Sequence, residues 1–192
     1  MSRSFAIADT CFLIDWARYR GRDLLFKLYV VYVPESVLRE VKSESTIAWI
    51  ASRLASGDLA LFTETESEVE EARSIVERSR RMPNMPGVDL PEAVCIAVGR
   101  RRGYVVLTEN RGALKFVELA EDYAGVTIHR SLEILSQLQL RGHLRPDCGD
   151  PALRFREYEE DTKHLFPRKD LLNAVAVIRR ELCGEAQEVG GA

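Results

Sequence analysis

The feature of this 192-residue chain that most restricts its fold is a regular exchange between short apolar runs and stretches of helical spacing. Residues 5–8, FAIA, stop abruptly at Asp9, a length and ending that suit a buried parallel strand with Asp9 at its carboxyl end. Helical spacing follows at Phe12, Leu13 and Trp16, and a second amphipathic stretch at Leu24, Leu25 and Leu28. Tyr29 to Val33 is rich in β-branched and aromatic residues and meets Pro34, which suits the first turn of a helix through Val37, Leu38 and Val41. Further strands are predicted at Leu59–Phe62, Tyr104–Leu107 and Val126–Ile128, and helices at 46–55, Thr63–Arg81, Asp89–Arg102, Arg111–Glu121 and Ser131–Leu140. RMPNMPG, residues 81–87, holds two prolines and a glycine and reads as a loop. Strands joined by helical crossovers require a parallel sheet covered on both faces, so the predicted fold class is α/β, a three-layer α/β/α sandwich.

The pattern ends near Gly142. It divides the chain into an α/β domain over residues 1–142 and a helical C-terminal extension over 143–192. In the extension HLRPDCGDP reads as a linker, Ala152–His164 and Leu171–Leu182 as helices, and the ending GEAQEVGGA as disordered. Leu171, Leu172, Val175 and Ile178 form an apolar stripe from which a homodimer is expected. A chain of this length buries about 70% of its unfolded surface, so neither disulfides nor a structural metal are needed to hold it. Apolar runs such as Leu28–Val33 and Ala93–Val98 fall well short of the ~20 residues that span a bilayer, so no membrane association is expected. MSRSFAIADT lacks the features of a secretory signal. Cys11, Cys95, Cys148 and Cys183 have neither zinc nor C-x-x-C spacing, which reads as thiols in a reducing cytoplasm.

Lys and Arg total 27 against 30 Asp and Glu, a net charge of −3, which lacks the basic excess of a protein held to nucleic acid by many phosphate contacts. In open α/β sheets ligands bind beyond the carboxyl ends of strands, so polar residues there are the candidates. Asp9 follows the first strand, Glu40 lies two turns into the helix after the second, Glu92 opens the helix after the proline loop, and Glu109 follows the strand Tyr104–Leu107; all four are carboxylates. Each has a plainer reading. Asp9 fits a helix cap, Asp89 and Glu92 have capping-box spacing, and Glu40 with Glu44 fits a solvated helix face. Arginines 18, 20 and 22, 78, 80 and 81, and 100–102 are candidates for phosphate contacts or for solvated faces. His129, His143 and His164 are isolated.

The segments I7-A-D-T-C-F-L-I-D15, V33-P-E-S-V-L-R-E40, L90-P-E92-A-V-C-I-A-V and V106-L-T-E-N110, in this order on a β-α alternation, resemble the PIN-domain ribonucleases, including VapC-type toxins. The resemblance covers residues 4–142. It implies an acidic pocket holding Mg²⁺ or Mn²⁺, an RNA substrate, Asp9, Glu40, Glu92 and Glu109 as the motif acids, and Thr10, Thr108 and Asn110 as polar neighbours. A toxin would pair with a small antitoxin protein. The sequence departs from the common pattern in having Glu at 92 and 109, where many relatives have Asp, and Cys at 11, where many have Ser or Asn. Gathered carboxylates repel by about 1 kcal/mol per pair at 4 Å in water and by ~4 kcal/mol at an effective dielectric of 20, so a cation is expected among them. Hard oxygen ligands without His or Cys favour Mg²⁺ or Mn²⁺ over Zn²⁺. Asp9, Glu92 and Glu109 are the expected metal ligands, and Glu40 is expected to orient water. A haloacid-dehalogenase-type phosphatase would need a second Asp at position 11, where Cys11 stands, and a receiver domain would need paired N-terminal acids and a late lysine. The remaining alternative is a catalytically inactive PIN-like module that binds RNA or a protein.

Overall fold

β1, Ser4–Ala8, begins a five-stranded sheet in the computed structural model, which describes residues 3–184. The remaining strands are β2, Tyr29–Pro34, β3, Leu59–Phe62, β4, Val105–Leu107, and β5, Ile128–His129. Their order is β3-β2-β1-β4-β5 and every pairing is parallel. Ala6, Ile7 and Ala8 are fully buried, as are Val31, Val33, Val106 and Leu107. Central strands of a sheet covered on both faces carry such unbroken apolar runs. Helices flank the sheet and complete the three-layer α/β/α sandwich.

The helices of this part are α1, Thr10–Arg18, α2, Leu25–Leu28, α3, Glu35–Glu40, α4, Glu44–Ser56, α5, Glu66–Arg81, α6, Leu90–Arg102, and α7, Arg111–Leu119. α1 packs against α4, and α6 lies on β1, β2 and β4 with α5 beside it. The run Pro91–Gly99 is buried all round, as expected for a helix apolar on every face. Its last small residue permits the close approach, because a β-carbon at Gly99 would stand 2.6 Å from a Val106 methyl.

Several boundaries differ from the sequence reading. α5 starts at Glu66 rather than Thr63, because Thr65 closes a capping box with Glu68. The stretch at Leu24–Leu28 is a 3₁₀ turn over Arg22–Leu24 followed by the single turn of α2. The last strand is Ile128–His129, set by the register of Val106 with Ile128 and Leu107 with His129. Glu40 is the final residue of the six-residue α3, not a residue two turns into a continuing helix.

The chain divides into two compact units, Met1–Ser131 and Leu132–Ala192. α8, Ser131–Leu140, begins at this division, and the second unit adds α9, Leu153–Thr162, and α10, Arg168–Leu182. Within it Tyr158 stacks on Phe166 with ring centroids 5.4 Å apart, and Phe155 meets Phe166 edge-on. On the stripe read as a dimer face, Ile178 is fully buried while Leu172 is 58% exposed.

The cysteine reading requires a correction. Cys148 and Cys183 form a disulfide, their α-carbons 5.3 Å apart across 35 residues of sequence, while Cys11 and Cys95 are free. The pairing is created by the fold, since only the return of α10 brings position 183 back to the segment before α9. Of the ending read as disordered, all but Gly184 lies outside the described residues.

Candidate active site

The strand order reverses between β1 and β4, because the chain leaves β1 toward β2 and β3 and then crosses to β4 on the other side. The crevice beyond the carboxyl ends of these two strands is the ligand position of open α/β sheets. Asp9 and Glu109 stand there. Asp9 directly follows β1, and its backbone N–H donates to the Leu107 carbonyl at 3.1 Å, which fixes it against β4. Its carboxylate is fully buried. Oδ1 accepts the Phe12 N–H at 2.8 Å as the cap of α1, and Oδ2 accepts the Thr108 hydroxyl.

Thr108 links Asp9 to the other side of the crevice. Its hydroxyl oxygen accepts the Asn110 N–H at 2.9 Å. The Asn110 side-chain oxygen caps α7 by accepting from Gly112 at 2.7 Å and Ala113 at 3.0 Å, while its amide nitrogen donates to Glu92 Oε1 at 3.0 Å. Glu92 sits at the third position of α6, where Oε2 accepts the Asp89 N–H at 2.8 Å. A continuous chain of hydrogen bonds thus runs Asp9, Thr108, Asn110, Glu92. Glu40 joins from α3, receiving the Thr10 hydroxyl at 2.9 Å. Glu109 Oε1 accepts the Ser131 N–H at 2.7 Å.

Burial outweighs the bonds from Thr108 and Phe12 and raises the Asp9 pKa to about 7, with the negative charges of Glu92 and Glu109 adding to the rise. Glu92 is also raised, first by burial and then by the charges of Asp89 and Glu40, against the donors Asp89 N–H and Asn110. Desolvation, with the charges of Asp9, Glu92, Asp15 and Glu40, pushes the Cys11 thiol up to about 12. Cys11 therefore stays protonated at neutral pH. Asp9 feels the charges of Glu92 and Glu109, and Glu92 that of Glu40, yet each acid also serves a local structural bond, so the plainer readings of Asp9 and Glu92 as caps describe real contacts.

Among the described residues no group of three or more His, Cys, Asp or Glu is arranged to hold a metal ion. Glu92 and Glu109 are turned to backbone donors, and Glu40 to a hydroxyl. The donor set nevertheless suits a hard divalent cation, because it is all oxygen, and beyond burial the neighbouring acids add to the raised pKa of Asp9 and Glu92. Cation binding would require the glutamate side chains to leave their present donors.

Most arginines singled out in the sequence are already engaged. Arg100 and Arg101 pair with Glu71, Arg102 with Glu68, and Arg78 with Asp122. Arg18 pairs with Asp15, Arg81 with Glu77, and Arg22 donates to the Ala17 carbonyl. The sequence reading passed over Lys42 and Arg111, two exposed cations at the crevice end of the sheet whose side chains have no hydrogen-bond or ion-pair partner among the described residues. The signal was available, since each lies two residues beyond a motif acid, Glu40 and Glu109. His129, isolated in sequence, shares a 2.7 Å hydrogen bond with the Tyr29 hydroxyl.

Neither a family model nor a curated protein sequence matches this chain.

Proposed function

We propose that the chain is a metal-dependent endoribonuclease of the PIN-domain type, hydrolysing RNA phosphodiester bonds in the crevice beyond β1 and β4. The supporting observation is a fully buried Asp9 at the reversal of strand order, its pKa raised first by burial and then by the charges of Glu92 and Glu109. A carboxylate perturbed by burial and by neighbouring acids in a crevice is a candidate functional group.

In this reading Asp9, Glu92 and Glu109 hold Mg²⁺ or Mn²⁺, which when bound supplies a water of lowered pKa and neutralises charge on the phosphate and leaving oxygen. Thr108 and Asn110 orient Asp9 and Glu92, since each hydrogen-bonds one carboxylate oxygen of its acid while a backbone N–H holds the other. Glu40, exposed and bonded to Thr10, orients water at the rim. A VapC-type toxin acting on cytoplasmic RNA, held in check by a small antitoxin, is the biological form of this proposal. A homodimer is a further part of it.

The capping bonds of Glu92 and Glu109 favour a second reading, an inactive PIN-like module that binds RNA or a protein. Metal titration separates the two. A working seat raises the melting temperature with millimolar Mn²⁺, because a ligand bound only by the native state stabilises it by mass action. No rise at saturating metal, together with no RNA cleavage, decides for the module.

A further inference from the structure

The chain has no net positive charge, so any RNA it cleaves must be gripped by a few cations placed where they count. Acid partners occupy the obvious ones. The run Arg100–Arg102 is tied to Glu68 and Glu71, and Arg78 to Asp122, on the α5 and α6 surface. Lys42 and Arg111 differ in both respects: they are exposed without a partner among the described residues, and topology sets them on opposite flanks of Asp9. Lys42 follows α3, which leaves the carboxyl end of β2 and whose last residue, Glu40, reaches Thr10. Arg111 opens α7, just beyond the carboxyl end of β4. In the order β2-β1-β4 these positions bracket the strand that ends at Asp9. Neighbouring strands lie about 4.8 Å apart, so the ends of β2 and β4 are separated by about 10 Å with Asp9 between them.

Resting on the ribonuclease reading, we propose that Lys42 and Arg111 are the substrate-gripping residues, each holding an RNA phosphate on one side of the carboxylate pocket. Both charges are exposed to solvent and so within reach of a phosphate. Their attraction also offsets the repulsion that the four acids exert on an approaching phosphate.

Binding of a fluorescent, mixed-sequence single-stranded RNA to the full chain is measured by anisotropy in chelator at several salt concentrations, so that no cleavage intervenes. Lys42→Ala and Arg111→Ala are expected each to weaken binding about three- to tenfold and to lower the slope of log affinity against log salt by about 1. Lys42→Arg and Arg111→Lys should restore most of the affinity, and Arg100→Ala should leave it unchanged. Circular dichroism confirms that each variant is folded. A double alanine variant with wild-type affinity and slope, in a protein that binds and cleaves RNA, overturns this inference alone. A wild type that neither binds RNA in chelator nor cleaves it with Mn²⁺ overturns the ribonuclease reading as well.

Discussion

Replacing Asp9 by Asn should make the protein more stable at neutral and alkaline pH while abolishing its proposed activity. Asp9 is fully buried, and its pKa of about 7 compares with 3.8 for an ordinary aspartate. Below pH 3.8 both folded and unfolded chains carry the proton, and the group has no effect on the folding equilibrium. As pH rises from there toward 7 the unfolded chain loses its proton while the native one retains it. Stability from this group therefore falls by up to about 1.4 kcal/mol per pH unit and levels off above pH 7. A separation of about three units corresponds to a total of about 4 kcal/mol. Asn keeps the cap, since its side-chain oxygen can accept the Phe12 N–H, and its amide can donate to Thr108. Urea denaturation of wild type and Asp9→Asn at half-unit intervals from pH 4 to pH 8.5 isolates the effect, because titrating groups remote from Asp9 cancel in the difference and only its neighbours Glu92 and Glu109 stay coupled to it. Asn should gain on Asp steadily up to about pH 7 and then hold a constant advantage. Parallel curves across the range would refute the reasoning, and so would a growing disadvantage for Asn.

Three other expectations concern the fold. Reduction of Cys148–Cys183, or Cys148→Ser, should lower the stability of the second unit by up to about 4 kcal/mol, the loop-closure value for a separation of 35 residues; urea curves with and without dithiothreitol that coincide would count against it. Gly112→Ala should cost about 1–3 kcal/mol and depress cleavage, since the added β-carbon would lie 2.4 Å from the Gly87 carbonyl oxygen and displace the loop that leads into Asp89 and Glu92. Thermal melts and initial cleavage rates test both effects. Thr65→Ala should cost about 1 kcal/mol in thermal denaturation by removing one half of the capping box of α5, and an unchanged midpoint would show that the helix start is held otherwise.

The sheet was legible because each strand is a short apolar run that stops at a polar residue or a proline, and Leu59–Phe62 stands where the pattern sets it. Periodicity could not find the start of α5, where a side-chain cap decides, or the position of the two-residue β5, which only its partner strand defines. The acids were legible as types, Asp9 and Glu109 just beyond strands and Glu40 and Glu92 on helices. Their bonds were not: that Asn110 would cap α7 with one atom and reach Glu92 with another depends on how α6 seats against β4. The disulfide was illegible for the same reason, because its two halves meet only after α9 and α10 fold back. Arginine runs drew attention by density, yet density put them beside Glu68 and Glu71, which neutralise them.

Incubation of the purified full chain with a mixed RNA pool, with Mn²⁺ or with chelator and beside an Asp9→Asn control, addresses the carboxylate pocket directly. Cleavage that requires the metal and disappears in the Asn variant is the predicted outcome. Undiminished cleavage by Asp9→Asn, or intact RNA under every condition, would contradict it.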